Sequence, residues 1–285
     1  MIGRPSTGYI LFNTAMLWLA TFIAASALWP IYQSRAFLVL VAVAVPLGSL
    51  ISILGAVFRW RGFVVMLVSL GAFVVVGVPI AVPSQAQFGV LPTLAGLLDL
   101  FAGVALGWKQ LLTVTLPVGS YEALLVPALL LILLVTVIGL SVALRAKRGE
   151  LAVLAPVELF LVATAFGPTF PDRPLVATIA LLVVVLLWLV WFRWYRRRSA
   201  IRALLSQSVI DPTSTTTLKT GGAGVRTAVA AAAIVVVASA AAVGSAAALP
   251  PSQDRTVLRT TVVQPFDPRD YVSPLSAFRR YWQPA

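Results

Sequence analysis

One carboxyl group stands by itself in apolar sequence: Glu158, two residues after Pro156, in a run otherwise made of Leu, Val, Ala and Phe. A charge at the centre of a membrane helix costs on the order of 3 kcal/mol, so residues of this kind are functional by default. Glu158 is therefore a candidate intramembrane polar site, a place for a proton or a cation, beside a proline whose ring opens the helical hydrogen-bond ladder. The competing reading is structural. Glu158 lies only about 12 Å of helix from Glu150, shallow enough for partial solvation or a hydrogen bond to a neighbouring helix. The structural reading is favoured, because a transport path normally shows several buried polar groups or matched helix breaks. The other polar residues in apolar runs are Asn13, Thr14, Ser49, Ser52, Thr136, Ser141 and Thr164, mostly hydroxyls able to bond back to their own helix.

Most other chemistry is excluded by composition. The chain has neither cysteine nor histidine, which removes disulfides, thiol nucleophiles, Cys/His zinc sites and imidazole acid–base catalysis. No phosphate-binding loop, dinucleotide fingerprint or paired-carboxylate motif occurs, and Gly221-Gly222-Ala223-Gly224 lacks the following Lys-Ser/Thr that would hold phosphate. No catalytic, cofactor-binding or metal-binding residue is assigned, and no internal repeat is found.

The elements that would position Glu158 follow from hydropathy. Hydrophobic residues make up 60% of the chain, charged residues 11%, and the mean hydropathy is +0.99. Seven runs, at 11–29, 37–58, 63–82, 124–144, 151–170, 175–192 and 227–249, approach the roughly 20 apolar residues that cross a bilayer. Backbone polar groups in lipid must be satisfied internally, so these are helices. The expected fold is an all-α, polytopic membrane bundle. The intervening stretch 83–121 is too long for a turn and too broken by Pro and Gly for a span. Leu94, Leu97, Leu98, Phe101, Val104, Ala105 and Trp108 recur in it at helical spacing, which predicts an interfacial helix near 93–110, with a buried re-entrant segment as the alternative.

The formal charge of +12 is distributed in clusters. Arg59 and Arg61 follow the second run, Arg145, Lys147 and Arg148 the fourth, and Arg193, Arg196, Arg197, Arg198 and Arg202 the sixth; the alternate gaps hold only Arg35, Lys109 and Arg173. Cationic residues collect on the cytoplasmic side. The predicted topology is N-terminus in and tail out, with Arg193, Arg196, Arg197 and Arg198 as its principal determinants. The partner of this charge is the lipid surface, not nucleic acid. Trp191, Trp194 and Tyr195 among the arginines fit a headgroup-level belt, with a specific anionic-lipid site as the sharper alternative. The first run is read as an uncleaved anchor.

Residues 193–226 are expected to form a cytoplasmic linker, flexible over its Thr-, Ser- and Gly-rich part from 206 onward. In the seventh run Ala240, Gly244 and Ala248 recur at four-residue intervals, a small-residue stripe for close helix packing. The rival reading takes Ser245-Ala246-Ala247 as an internal cleavage site. Residues 250–285 turn polar and contain an alternating stretch, 256–263, suited to a strand. They read as the extracytoplasmic start of a domain whose core lies beyond this segment.

Two motifs carry a family resemblance. One is the tail, with Val257-Leu258-Arg259, Pro265, Phe266, Asp267, Pro268, Tyr271, Ser273, Pro274 and Phe278-Arg279-Arg280-Tyr281; the other is Gly107-Trp108-Lys109-Gln110-Leu111-Leu112-Thr113 with Pro117-Val118-Gly119. Together they resemble the membrane block and junction of bacterial transglutaminase-like membrane proteins of the TgpA type. The resemblance implies a Cys–His–Asp triad in an external papain-like domain. With no Cys or His here, no catalytic residue carries over, and this chain by itself is not expected to be an enzyme. The implied function is an anchoring module in the bacterial plasma membrane, with a downstream extracytoplasmic domain or an envelope protein as partner. The alternatives are a small permease subunit using Glu158, and a non-catalytic envelope scaffold.

Overall fold

The computed structural model describes residues 6–89, 91–114, 116–119, 121–168, 174–208 and 258. Apart from a short hairpin, its regular elements are helical: α1 (Thr7–Ser26), α2 (Trp29–Tyr32), α3 (Arg35–Val57), α4 (Gly62–Ala81), α5 (Leu94–Thr113), α6 (Leu125–Arg145), α7 (Leu154–Phe166) and α8 (Pro174–Ser208). The hairpin pairs β1 (Ala86–Gln87) with β2 (Leu91–Pro92), and a 3-10 segment, Gly149–Val153, leads into α7. Among the described residues, seven helical segments are long and apolar enough to cross a membrane. The protein is a multi-pass membrane helix bundle.

Local chemistry starts these helices where they start. Ser6, Ser34 and Thr93 cap α1, α3 and α5, their hydroxyls accepting from the backbone N–H groups of Tyr9, Phe37 and Gly96, which satisfies donors with no intrahelical partner. Gln33 adopts a left-handed conformation (φ 42°) that stops α2 and lets α3 turn back.

The centre of the bundle is α6. In its membrane-length window 67% of residues are buried, against 33% for α1 and 28% for α4, so α6 is the helix the others wrap. The approach of α3 to it is close because residue 48 is glycine: a Cβ there would lie 3.0 Å from Thr136 Cβ. Small residues replace hydrophobic collapse as the means of association where lipid is as apolar as the side chains.

The two ends of the bundle are distinct. At one, Tyr9 of α1 meets Tyr195 of α8, and Arg145 at the end of α6 donates to the Trp60 carbonyl between α3 and α4. At the other, Val118 N donates to Ile31 O at 2.8 Å, and Tyr32 Oη donates to Leu124 O at 3.1 Å. Both ends of α5 belong to this second end. Gly96 abuts Val78 near the close of α4, and Gly107 abuts Pro127 in the first turn of α6.

Three expectations require correction. The helix expected at 175–192 is α8, which continues to Ser208, so the first part of the expected 193–226 linker is helical. Arg, Ala and Leu are strong helix formers, and no Gly or Pro intervenes before Pro212. The run 151–170 enters through the 3-10 segment, and its α-helix ends at Phe166, before Gly167 and Pro168. Pro156 consequently sits in the first turn of α7, where proline is tolerated, and breaks no helical ladder in mid-span.

Candidate functional site

Glu158 sits four residues into α7, about 6 Å along the axis from its start. Its side chain is exposed at the bundle perimeter, while Ala155, Pro156, Leu159 and Ala163 form the buried face. Glu150, just before α7, is held at the arginine-rich end by Arg196, with Nη1 3.4 Å from its Oε2. Glu158 is therefore within reach of that surface and points away from the packed interior. The depth agrees with the structural reading, and the described residues place no second ionisable group of the packed interior beside this carboxyl.

The arginine-rich end is organised by α8. Its Trp191 stacks on Phe12 of α1 at 4.1 Å between ring centroids, and Tyr195 approaches Tyr9 at 4.7 Å. Tyr9 Oη in turn donates to Ala143 O on α6 at 2.9 Å. These rings lock α1, α6 and α8 together at one level. Outside them, Arg196 Nη2 donates to Lys147 O at 2.8 Å, and the Arg198 guanidinium lies 3.8 Å from the Trp194 ring centroid. The side chains of Arg193, Arg197 and Arg198 are exposed. Clusters far apart in sequence, from the α3–α4 turn, the end of α6 and α8, thus form one cationic rim. At the opposite end the charged side chains described are fewer: Arg35, Asp99 and Lys109.

Buried polar groups inside the bundle mostly answer one another. Ser49, Ser52 and Thr136 donate to backbone carbonyls one turn earlier. Trp18 Nε1 donates to Ser49 Oγ at 2.7 Å, and Ser52 Oγ also reaches Val137 O across the α3–α6 interface at 3.0 Å. Asn13 is fully buried; its Nδ2 donates to Tyr9 O, and its Oδ1 accepts from Trp188 Nε1 at 3.0 Å. Thr14 and Thr21 hydroxyls have no partner among the described residues. The described residues hold no cluster of His, Cys, Asp and Glu able to bind a metal ion.

Sequence reasoning flagged Asn13 but missed its partner, because Trp188 is one aromatic in an unbroken apolar run. It also missed Tyr32, whose hydroxyl ties the α1–α3 turn to α6. Burial pushes the Tyr32 pKa up, keeping it a neutral donor. The motif around residues 107–119 proves to be a set of packing contacts. Trp108 meets Phe166 edge-on at 5.8 Å, Val118 is fully buried, and a Cβ at Gly119 would collide with Tyr32 O. Ala240, Gly244 and Ala248, and the junction residues Pro265, Phe266, Asp267, Pro268, Tyr271, Ser273 and Pro274, lie outside the described residues.

No protein-family model, curated protein or solved structure matches this chain.

Proposed function

We propose that this chain is the membrane-anchoring module of a transglutaminase-like cell-envelope protein, with its arginine-rich end toward the cytoplasm and residues 250–285 outside. The observation that carries the reading is the character of the interior. Its buried polar atoms are chiefly hydroxyls, one amide and indole N–H groups bonded to backbone or to each other. Such a core holds helices in register and, among the described residues, presents no row of ionisable groups for a permeating ion. The orientation rests on the cationic rim, since basic residues are retained on the cytoplasmic side. The external partner rests on the resemblance of the 107–119 and 257–281 motifs.

The test has two arms. Sequencing the coding region beyond codon 285 at its native locus should reveal, in frame or adjacent, a domain with Cys, His and Asp in papain-like order. Proteoliposomes containing the purified chain should show no proton- or cation-dependent flux. A stop codon with no such domain nearby, together with flux that Glu158→Gln abolishes, would overturn the anchor in favour of a permease.

A further inference from the structure

Helix α5 is as long and apolar as a crossing helix, yet the fold leaves it no crossing to make. The rings of Tyr9 and Tyr195 lie 4.7 Å apart, so these residues share one side of the membrane. Between them the chain must cross an even number of times. Helices α1, α3, α4 and α6, the segment Gly149–Phe166 and α8 already supply six crossings. A seventh would place Tyr9 and Tyr195 on opposite sides. The contacts of α5 agree with this count. Its start is capped by Thr93, whose hydroxyl also donates to Gln85 O, and after its end Val118 is bonded to Ile31. Both anchor points belong to the end remote from the cationic rim.

The faces of α5 divide just as clearly. Gly96, Leu100, Gly103, Gly107 and Leu111 are buried, and the glycines let the helix lie directly on its neighbours: a Cβ at Gly103 would be 2.8 Å from Val126 Cγ2. The outward face carries Leu94, Leu98, Phe101 and Leu106, exposed by 76%, 66%, 51% and 55%. We propose that α5 is a non-crossing helix laid across this end of the bundle, its outward face seated in the acyl chains of one leaflet.

Depth identifies lipid as the occupant. The neighbours of α5 are Gly77 and Val78, near the end of α4, and Val126 and Pro127, at the start of α6. All four lie within about 6 Å of the ends of membrane-length helices. That is the level at which interfacial helices bury their apolar face, roughly 5–10 Å into the headgroup–acyl boundary. The strip also continues the lipid-facing side of α4, where Val75 is 57% exposed. Asp99 and Lys109, both exposed, can extend from the helix to the headgroups.

The absence of cysteine from the chain makes single-cysteine labelling clean. In lipid vesicles, Gln87→Cys and Tyr121→Cys, which flank α5, should react with a membrane-impermeant maleimide from the same side, and Lys147→Cys from the other. Reaction of Gln87→Cys and Tyr121→Cys from opposite sides would overturn the proposal. In nanodiscs holding one copy each, Leu98→Cys and Leu106→Cys should react at least about tenfold more slowly than Gln87→Cys, the factor expected for a leucine position withdrawn from water. A fluorophore at Leu98→Cys, attached in detergent before reconstitution, should be quenched by acyl-chain nitroxide lipids. Fast maleimide reaction at both positions, or no quenching, would show the face covered by something other than lipid. All these positions are exposed, so the substitutions leave the packed core intact.

Discussion

Asn13 and Trp188 form a buried polar contact between α1 and α8. Both are fully buried, and each supplies what the other needs: Trp188 Nε1 donates to Asn13 Oδ1 at 3.0 Å. Trp188→Phe removes the donor and leaves a buried amide oxygen unpaired, at a cost of about 1–3 kcal/mol. The expected readout is a lower thermal unfolding midpoint in detergent, with Asn13→Leu in the Trp188→Phe background recovering part of the loss. Gly119→Ala should destabilise by a comparable 1–3 kcal/mol or so, as overpacking does, because the new Cβ meets the Tyr32 carbonyl oxygen. Limited proteolysis of the loop after α5 would report that loss. Tyr32 has a raised pKa from burial, so its contribution is complete below the ordinary tyrosine value of about 10 and is lost as pH climbs above it. Wild type should therefore begin to lose its stability advantage over Tyr32→Phe as pH rises above about 10, read as converging unfolding midpoints.

At the scale of elements, α8 joins two functions usually separate in a membrane helix. Its 35 residues extend about 52 Å, well past the roughly 30 Å of hydrocarbon. The membrane part packs through Leu181, Val184 and Trp188, and the arginines stand beyond it. The Arg196–Glu150 pair is partly exposed, and pairs of that kind contribute about 1 kcal/mol or less. Replacing Arg196, Arg197 and Arg198 together with Gln should thus leave unfolding nearly unchanged. It should disturb the orientation of the 227–249 run, measured with reporter fusions after residue 249. Unchanged orientation would remove the charge argument for topology.

At the scale of the whole molecule, the described helices wrap α6, with the cationic rim at one end and α5 at the other. Glu158 is exposed on the perimeter near the cationic end. Glu158→Gln should change neither stability nor ion permeability of proteoliposomes beyond experimental scatter. A selective change in flux would move the reading toward a permease. The end covered by α5, where Val118 in the segment after α5 is bonded to Ile31, is the platform from which an external domain would be oriented under the proposed topology.

Hydropathy alone determined that this chain lives in lipid as helices, because an apolar run of about 20 residues has no other stable form there. Charge clustering between Arg59 and Arg198 likewise marked which gaps share a side, and the structure gathers those residues into one rim. A helix near 93–110 was legible from spacing, and α5 stands there, although by length and composition it qualifies as a span. Only tertiary structure shows where the two ends of α5 are tied, through Val78, Pro127 and the Val118–Ile31 bond. The Asn13–Trp188 pair and the perimeter position of Glu158 were equally out of reach. A sequence gives each residue's hydrophobicity, whereas the packing of separate helices sets which face a residue presents and what it meets.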